Sequence, residues 1–226
     1  MSNVFQEALV WLNDPLNWQG PNGVPALAAE HLVMTVQAVA LAAVVALPGG
    51  VLLGHLRRGG TLTVAVVNTT RALPTLALLT LFASSAIGFG NRATVLAVAV
   101  FAVPPMLTNA YEGVLDVDAD VRDAARGVGF SGSRLLAMVE LPLALPLIAA
   151  GVRTSVVQVI ATIPLAALVG GGGLGVLITR GLATQRYGQA VAVSLIVAAL
   201  CLGVEGLLAL AQRGLTPRSM KLAVTG

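Results

Sequence analysis

The chain has 226 residues, a mean hydropathy of +0.89 and 10% charged residues, against about 25% in a soluble domain. Uncharged or nearly uncharged runs of the ~20 residues that a bilayer span needs recur five times, which excludes a soluble globular enzyme. A net charge of +3 does not point to nucleic acid, because the basic residues follow membrane topology.

The opening stretch, Phe5 to Trp18, carries Phe5, Trp11 and Trp18. It reads as a segment lying at the outer membrane interface, where Trp is favoured. Asp14-Pro15 and Gly20-Pro21 break it. A first span covers roughly His31–His55, and its Pro48-Gly49-Gly50 should kink the helix or admit a neighbour closely. Thr61–Thr70 should be helical and lead into a second span, interrupted at Pro74 and continuing to about Ile87. After the turn "GFGN", a third span runs from Ala93 to about Asn109, with Pro104-Pro105 near its inner half.

A polar island follows, from Glu112 to Pro142. It holds six acids and three arginines, nine of the chain's 23 charged side chains. Asp116, Asp118, Asp120 and Asp123 crowd its front, and acids at a helix start are favoured by the exposed amides and the dipole. One short helix is expected near Ala119–Val128, ended by Gly129 in the left-handed conformation. Ser131 can cap a second helix from Gly132, with Leu135, Leu136 and Val139 as an apolar stripe at helical spacing. Pro142 and Pro146 should start a fourth span, about Pro146–Val169, before "GGGGLG" at Gly170–Gly175. A fifth span covers about Gln189–Leu210. The expected organisation is therefore an outer interfacial segment (1–29), a transmembrane domain (30–212) containing the island (112–142), and a basic tail (213–226).

Residues 1–56 contain no Lys or Arg. Arg57, Arg58, Arg122, Arg126, Arg134, Arg213, Arg218 and Lys221 fall on one side, against Arg92, Arg180 and Arg186 on the other; Arg71 and Arg153 sit inside or beside spans. The positive-inside rule then places the N-terminus outside and the C-terminus in the cytoplasm, in agreement with an odd number of spans.

No catalytic constellation is present. His31 and His55 fall at opposite ends of the first span, and no His-x-x-x-His or His-Glu-x-x-His occurs. "GGGGLG" lacks the following Lys-Ser or Lys-Thr of a phosphate-cradling loop, and Lys221 is the only lysine. The single Cys201 can form neither an internal disulfide nor a metal cluster, and reads as a small apolar residue. No catalytic or metal-ligating residue is assigned.

Three charges lie in or beside the apolar spans. Arg153 and Glu205 each sit about 8 residues inside their spans, ~12 Å deep at the helical rise. Ionisable groups at that depth are expensive and are usually paired or face a cavity. The two are expected to pair or to share a polar interior; the alternative is snorkelling of Arg153 to the inner surface. Arg71 precedes Pro74 on a broken helix. Unwound backbone in a membrane requires cover by protein or a water cavity, so "RALP" is a candidate translocation path or gate. The plainer reading is an arginine marking the inner end of a span.

The island resembles the EAA loop of bacterial ATP-binding-cassette (ABC) importer permeases: Glu-Ala-Ala, three residues, Gly, nine residues, Ile, one residue, Leu-Pro. Here stand Asp123-Ala124-Ala125, then Gly129, then nine residues from Phe130 to Met138, then Val139, Glu140 and Leu141-Pro142. Asp replaces Glu on a shorter arm, and Val replaces Ile. "EHL" at Glu30–Leu32, "RALPTLALL" at Arg71–Leu79, "LPLALPLIAAGVR" at Leu141–Arg153 and "GGGGLGVLITRGL" at Gly170–Leu182 are similar to the osmoprotectant permeases. Those permeases serve importers of glycine betaine, carnitine, choline and proline betaine. Importers of methionine and other amino acids share much of this layout and stand as the alternative.

The resemblance implies an all-α integral membrane protein of about five transmembrane helices, with the methionine-importer-like ABC permease fold, multi-pass in a bacterial inner membrane. It implies no enzyme and no cofactor on this chain, with ATP and Mg on a partner. The partners implied are a cytoplasmic ABC ATPase dimer, a second permease copy or sister permease, an extracytoplasmic substrate-binding protein and membrane lipid, with no nucleic acid. Asp123, Ala124, Ala125, Arg126, Gly129, Phe130, Val139, Leu141 and Pro142 would form the ATPase-coupling loop. The alanines would permit close contact, Arg122, Asp123 and Arg126 would supply ionic contacts, and Pro142 would tie the loop stiffly to the fourth span. Arg71, Pro74, Arg153 and Glu205 are the translocation-path or gate candidates. Aromatics are 4% of the chain, too few for a cation–π cage, so the selective site is expected in the binding protein and a low-affinity passage in this chain.

Overall fold

The computed structural model describes residues 3–215; the side chains of Leu62, Arg71 and residues 213–215 are outside that description. The expected basic tail, with Arg213, Arg218 and Lys221, therefore lies outside the described side chains. Every regular element among the described residues is helical, as expected where no water can satisfy an exposed backbone. The α-helices are α1 (Val4–Asn13), α2 (Val24–His55), α3 (Gly60–Ala72), α4 (Thr75–Ala83), α5 (Asn91–Leu115), α6 (Ala119–Gly127), α7 (Gly132–Leu135), α8 (Leu141–Thr162), α9 (Gly175–Ala183) and α10 (Tyr187–Leu215). Four helical runs are long and apolar enough to cross a membrane, and the bent pair α3–α4 makes a fifth if taken as one span.

Several boundaries differ from the sequence expectation, each for a local reason. The fourth span begins before Pro146: α7 runs through a π turn, Leu136–Glu140, straight into α8. The Leu141 N–H bonds back to the Leu136 carbonyl, and the next residue, Pro142, has no N–H to donate, so the π turn stands where the regular helical ladder must lose a bond. The α-helix stops at Thr162 instead of Val169 because Ile163 precedes Pro164, and the residue before proline is disfavoured in helix. A 3₁₀ segment, Ile163–Val169, follows, and Gly170 ends it at φ +71°. Helix α9 was not expected from the sequence. The second span stops at Ala83 instead of Ile87, where Ser85 bonds the Phe82 carbonyl at 2.7 Å and receives the Ile87 N–H at 3.2 Å.

The chain forms two compact units. The first holds residues 1–41, 73–101 and 156–204. Among the described residues, it holds the apolar clusters Val24, Leu27, Leu174, Leu177, Val193 and Val197, and Leu78, Leu79, Ala83, Ala93, Ala97, Phe101 and Val169. Helix α1 breaks at Asp14, whose carboxylate caps the 3₁₀ turn Pro15–Trp18. It lies so close to α10 that a Cβ on Gly188 would come within 2.4 Å of the Glu7 Cβ.

The second unit holds residues 42–72, 102–155 and 205–226. Here Ala42, Ala46, Gly50 and Gly54 make a buried stripe at four-residue spacing on α2, and Ala102, Met106, Ala110 and Val114 make one on α5. A Cβ on Gly50 would stand 2.6 Å from the Leu107 carbonyl oxygen, and one on Gly54 2.7 Å from that of Tyr111. Small residues permit this approach, the main source of helix association where lipid is as apolar as leucine. Of the two outcomes expected at Pro48-Gly49-Gly50, close approach is realised, and α2 continues through Pro48.

Candidate functional site

The island folds as two short helices joined at a glycine. Asp118 caps α6 by accepting the Asp120 N–H at 2.7 Å. The helix closes with Val128 N–H on the Ala124 carbonyl (3.1 Å), Gly129 N–H on Arg126 (2.9 Å) and Phe130 N–H on Ala125 (3.1 Å). Gly129 adopts φ +90°, a conformation that strains any residue with a Cβ. Ser131 caps α7 through the Arg134 N–H at 3.4 Å. The result is a compact two-helix knob, with Gly129 and Ser131 in the places the sequence suggested.

Its outer face is formed by exposed Asp123, Ala124, Arg126 and Gly129, with Ala125 and Phe130 half-buried. Asp123 and Arg126 pair at 3.5 Å on the surface, a contact worth little in water. Arg134 stands over the Phe130 ring, 4.8 Å from its centroid. At the base, Val139 and Leu141 are half-buried and Pro142 is exposed.

Arg122 departs from expectation. Its side chain is not offered to a partner but turned inward, at 3% exposure, with Nε 2.8 Å from Glu140 Oε1. Glu140 is fully buried at the last residue of the π turn, and its other oxygen accepts a hydrogen bond from His55 Nδ1 at the end of α2. Burial holds the Arg122 guanidinium below its ordinary pKa, and the Glu140 carboxylate offsets only part of that shift. Nearby, Arg57 donates to the Val117 carbonyl at 3.2 Å from a backbone at φ +51°. One carboxylate thus ties together α6, the base of α8 and the end of α2. His55 and Glu140 were missed from the sequence. The available signal was an acid four residues after Leu136, on the apolar face of a helix, where a charge needs a buried partner.

Arg153 and Glu205 form the pair that the sequence suggested, Nε to Oε1 at 3.1 Å. Arg153 also donates to Gln212 Oε1 at 2.7 Å, and Gln212 Nε2 donates to the Pro146 carbonyl at 2.9 Å. Pro74 is exposed at the N-cap of α4, with φ −64°, and Arg71 belongs to α3. Among the described residues, no group of three or more His, Cys, Asp or Glu is placed to hold a metal.

The glycine-rich loop is a separate construction. Glu30 Oε1 accepts from Asn91 Nδ2 (2.7 Å) and Oε2 from the Gly173 N–H (2.8 Å), while Asn91 Oδ1 accepts the Gly172 N–H at 2.7 Å. Gly172 leaves no room for a Cβ beside the Glu30 carboxylate, and a Cβ on Gly175 would fall 2.1 Å from the Pro164 carbonyl oxygen. Buried His31 bonds the Ile160 carbonyl through Nε2 at 3.0 Å. The glycines serve close backbone approach.

Residues 21–217 match the family described as binding-protein-dependent transport system inner membrane component. The chain is similar to the choline transport system permease protein OpuBB of Bacillus subtilis, with 35% identity over 85% of this chain and 88% of that protein. It is also similar to the osmoprotectant import permease protein OsmW of Salmonella typhimurium, with 31% identity over 86% of this chain and 93% of that one. Among solved structures, it superposes on a chain of the MetNI methionine ABC transporter in an inward-facing conformation. The TM-score is 0.75, with 22% identity, over 91% of this chain and 100% of that one. The fold of an ABC permease, the membrane-spanning helices and the island with its spacing agree: the chain belongs to the binding-protein-dependent transport system inner membrane components, and is a multi-pass permease subunit of an ABC importer that works with an ATPase.

Proposed function

We propose that this permease passes osmoprotectant quaternary amines (glycine betaine, choline, carnitine, proline betaine) across a bacterial inner membrane. The carrying observation is the near full-length similarity to permeases named for choline and osmoprotectant import. The methionine alternative rests on a structural match at 22% identity, a level that speaks for fold alone.

In this reading, ATP and Mg reside on a separate cytoplasmic ATPase dimer, this chain binds no cofactor, and two permease chains, identical or sister, form the passage. An extracytoplasmic binding protein delivers the solute. The N-terminus is outside, residues 1–29 lie at the outer interface, 30–212 form the transmembrane domain, and the tail 213–226 is cytoplasmic. A cysteine at Ser131 would then be labelled only from the cytoplasmic side; labelling from outside would overturn the orientation.

Coupling follows from the knob. Asp123, Ala124, Ala125, Arg126, Gly129 and Phe130 meet the ATPase, and Val139, Leu141 and Pro142 connect the knob to α8. Because Glu140 binds Arg122 of α6 and His55 of α2, displacement of the knob moves the ends of both spans together instead of bending a loop. This is a shear of packed elements. Arg71, Pro74, Arg153 and Glu205 are proposed to line the path or its gate. Uptake of labelled glycine betaine and choline, by cells with and without this chain at low and high osmolarity, tests the reading. Uptake that depends on the chain is expected, and uptake that does not respond to it would refute the substrate class.

A further inference from the structure

A cavity of about 630 Å³ lies wholly within the first unit, lined by Glu30, Gln37, Asn91 and Arg92 together with Val33, Met34 and other apolar side chains. Its size and its mixture of apolar wall with few polar groups are those of small-molecule sites. No residue of the coupling knob or of the Arg153–Glu205 pair lines it.

The charges in its wall are arranged unusually. Both Glu30 oxygens are fixed by neutral donors, the Asn91 amide and the Gly173 N–H, and no described basic group lies within 4.0 Å. The carboxylate is immobilised without being neutralised. Two bonds leave roughly half of its acceptor positions free, so its field is available to a cation in the cavity. Arg92, exposed at the first turn of α5, carries the opposite charge on the same wall and makes no described ion pair.

We propose that this cavity is a low-affinity subsite for a quaternary ammonium solute, and that it prefers one that also carries a carboxylate. The inference rests on the substrate class proposed above. A trialkylammonium head offers no N–H, so it gains nothing from hydrogen-bond acceptors. It is held by Coulomb attraction to a fixed carboxylate and by contact of its methyl groups with apolar surface, here Glu30 with Val33 and Met34. Arg92 can take a carboxylate with two parallel hydrogen bonds. Glycine betaine carries both groups, whereas choline carries only the ammonium. The site therefore needs no aromatic cage, in keeping with the few aromatic residues in the chain. In the proposed orientation, Glu30 stands in the outer part of α2, where a binding protein releases its cargo.

The test uses the permease assembled with its ATPase in phosphatidylglycerol nanodiscs, whose headgroup supplies no ammonium. Saturation-transfer NMR reads the methyl protons of added glycine betaine or choline. Wild-type protein should give a signal with both solutes at millimolar concentration, stronger for glycine betaine. Arg92→Gln should weaken glycine betaine binding about 10-fold, the loss of a charge-assisted contact, and leave choline within about 2-fold; Arg92→Lys should restore part of the difference. Val95 also lines the cavity, and Val95→Trp, which fills it, should abolish both signals. Equal loss of both solutes in Arg92→Gln, or a wild-type signal that survives Val95→Trp, would overturn the subsite. If cells take up glycine betaine through this chain while nanodiscs show no binding, the subsite fails and the proposed function stands. If cells show no such uptake, it is the proposed function that fails.

Discussion

Two glutamates carry the main polar constructions of this chain, and they are held in opposite ways. Glu140 is fully buried and faces two basic side chains, Arg122 and His55. Glu30 is half-buried and is held only by neutral donors. The first arrangement neutralises a charge in order to fasten three helical segments. The second fixes a charge while leaving it unneutralised. A buried ion pair is weak evidence of net stabilisation, but removing one member is costly because the other stays behind. The contrast therefore separates a structural tie from the group proposed above to hold a solute.

The largest expected effect would break the contrast directly. Glu140→Ala should lower the stability of the purified complex by about 3–5 kcal/mol, the cost of stranding a buried partner, whereas Glu30→Ala should lose about 1–3 kcal/mol. Thermal unfolding of the two variants compares them, and a larger loss at Glu30 would refute the distinction. Replacing Arg122 and Glu140 together with apolar residues should recover much of the loss, since the pair then vanishes as a unit.

Next, Gly175→Ala should cost about 1–3 kcal/mol, because the new methyl meets the Pro164 backbone and not a movable side chain. The same unfolding assay checks it, and it sharpens how rigid the Glu30 loop is. At the knob, Gly129→Ile meets no atom within 4 Å of its Cβ, so its cost is backbone strain alone, about 1–3 kcal/mol. Membrane insertion should persist while ATP-driven uptake is lost; normal uptake would refute the coupling role. The smallest effect on stability is expected at Arg153 and Glu205, a half-exposed pair whose charge swaps keep one charge of each sign when made together. Each single charge swap should reduce uptake and the double swap should restore it; a double swap that restores nothing would remove the pair's role.

Much of the knob was legible because its signals are local. Asp118 caps through the next turn, Gly129 supplies a left-handed residue and Ser131 starts the following helix, all within a few residues of chain. The Arg153–Glu205 pair was legible because charges so deep in apolar spans have few alternatives. Arg122 was misread as an outward contact because α6 alone gives no reason to bury an arginine. Its partner lies on the π turn, and the third member, His55, is 85 residues away in sequence from Glu140. Likewise, "GGGGLG" is conspicuous in the sequence, but what approaches it is not: Glu30 is 143 residues from Gly173.

The sequence by itself determined the membrane class, the five apolar segments, the capped two-helix knob and the family resemblance, since hydrophobic length, capping chemistry and motif spacing act over short stretches of chain. Only the tertiary structure decided that Glu140 is a three-way tie, that α7 runs on into α8 through a π turn, and that Glu30 is fixed without a counter-charge. Those outcomes depend on which distant group fills the remaining hydrogen-bond and charge demand of a buried side chain, and that demand is settled only when the helices pack.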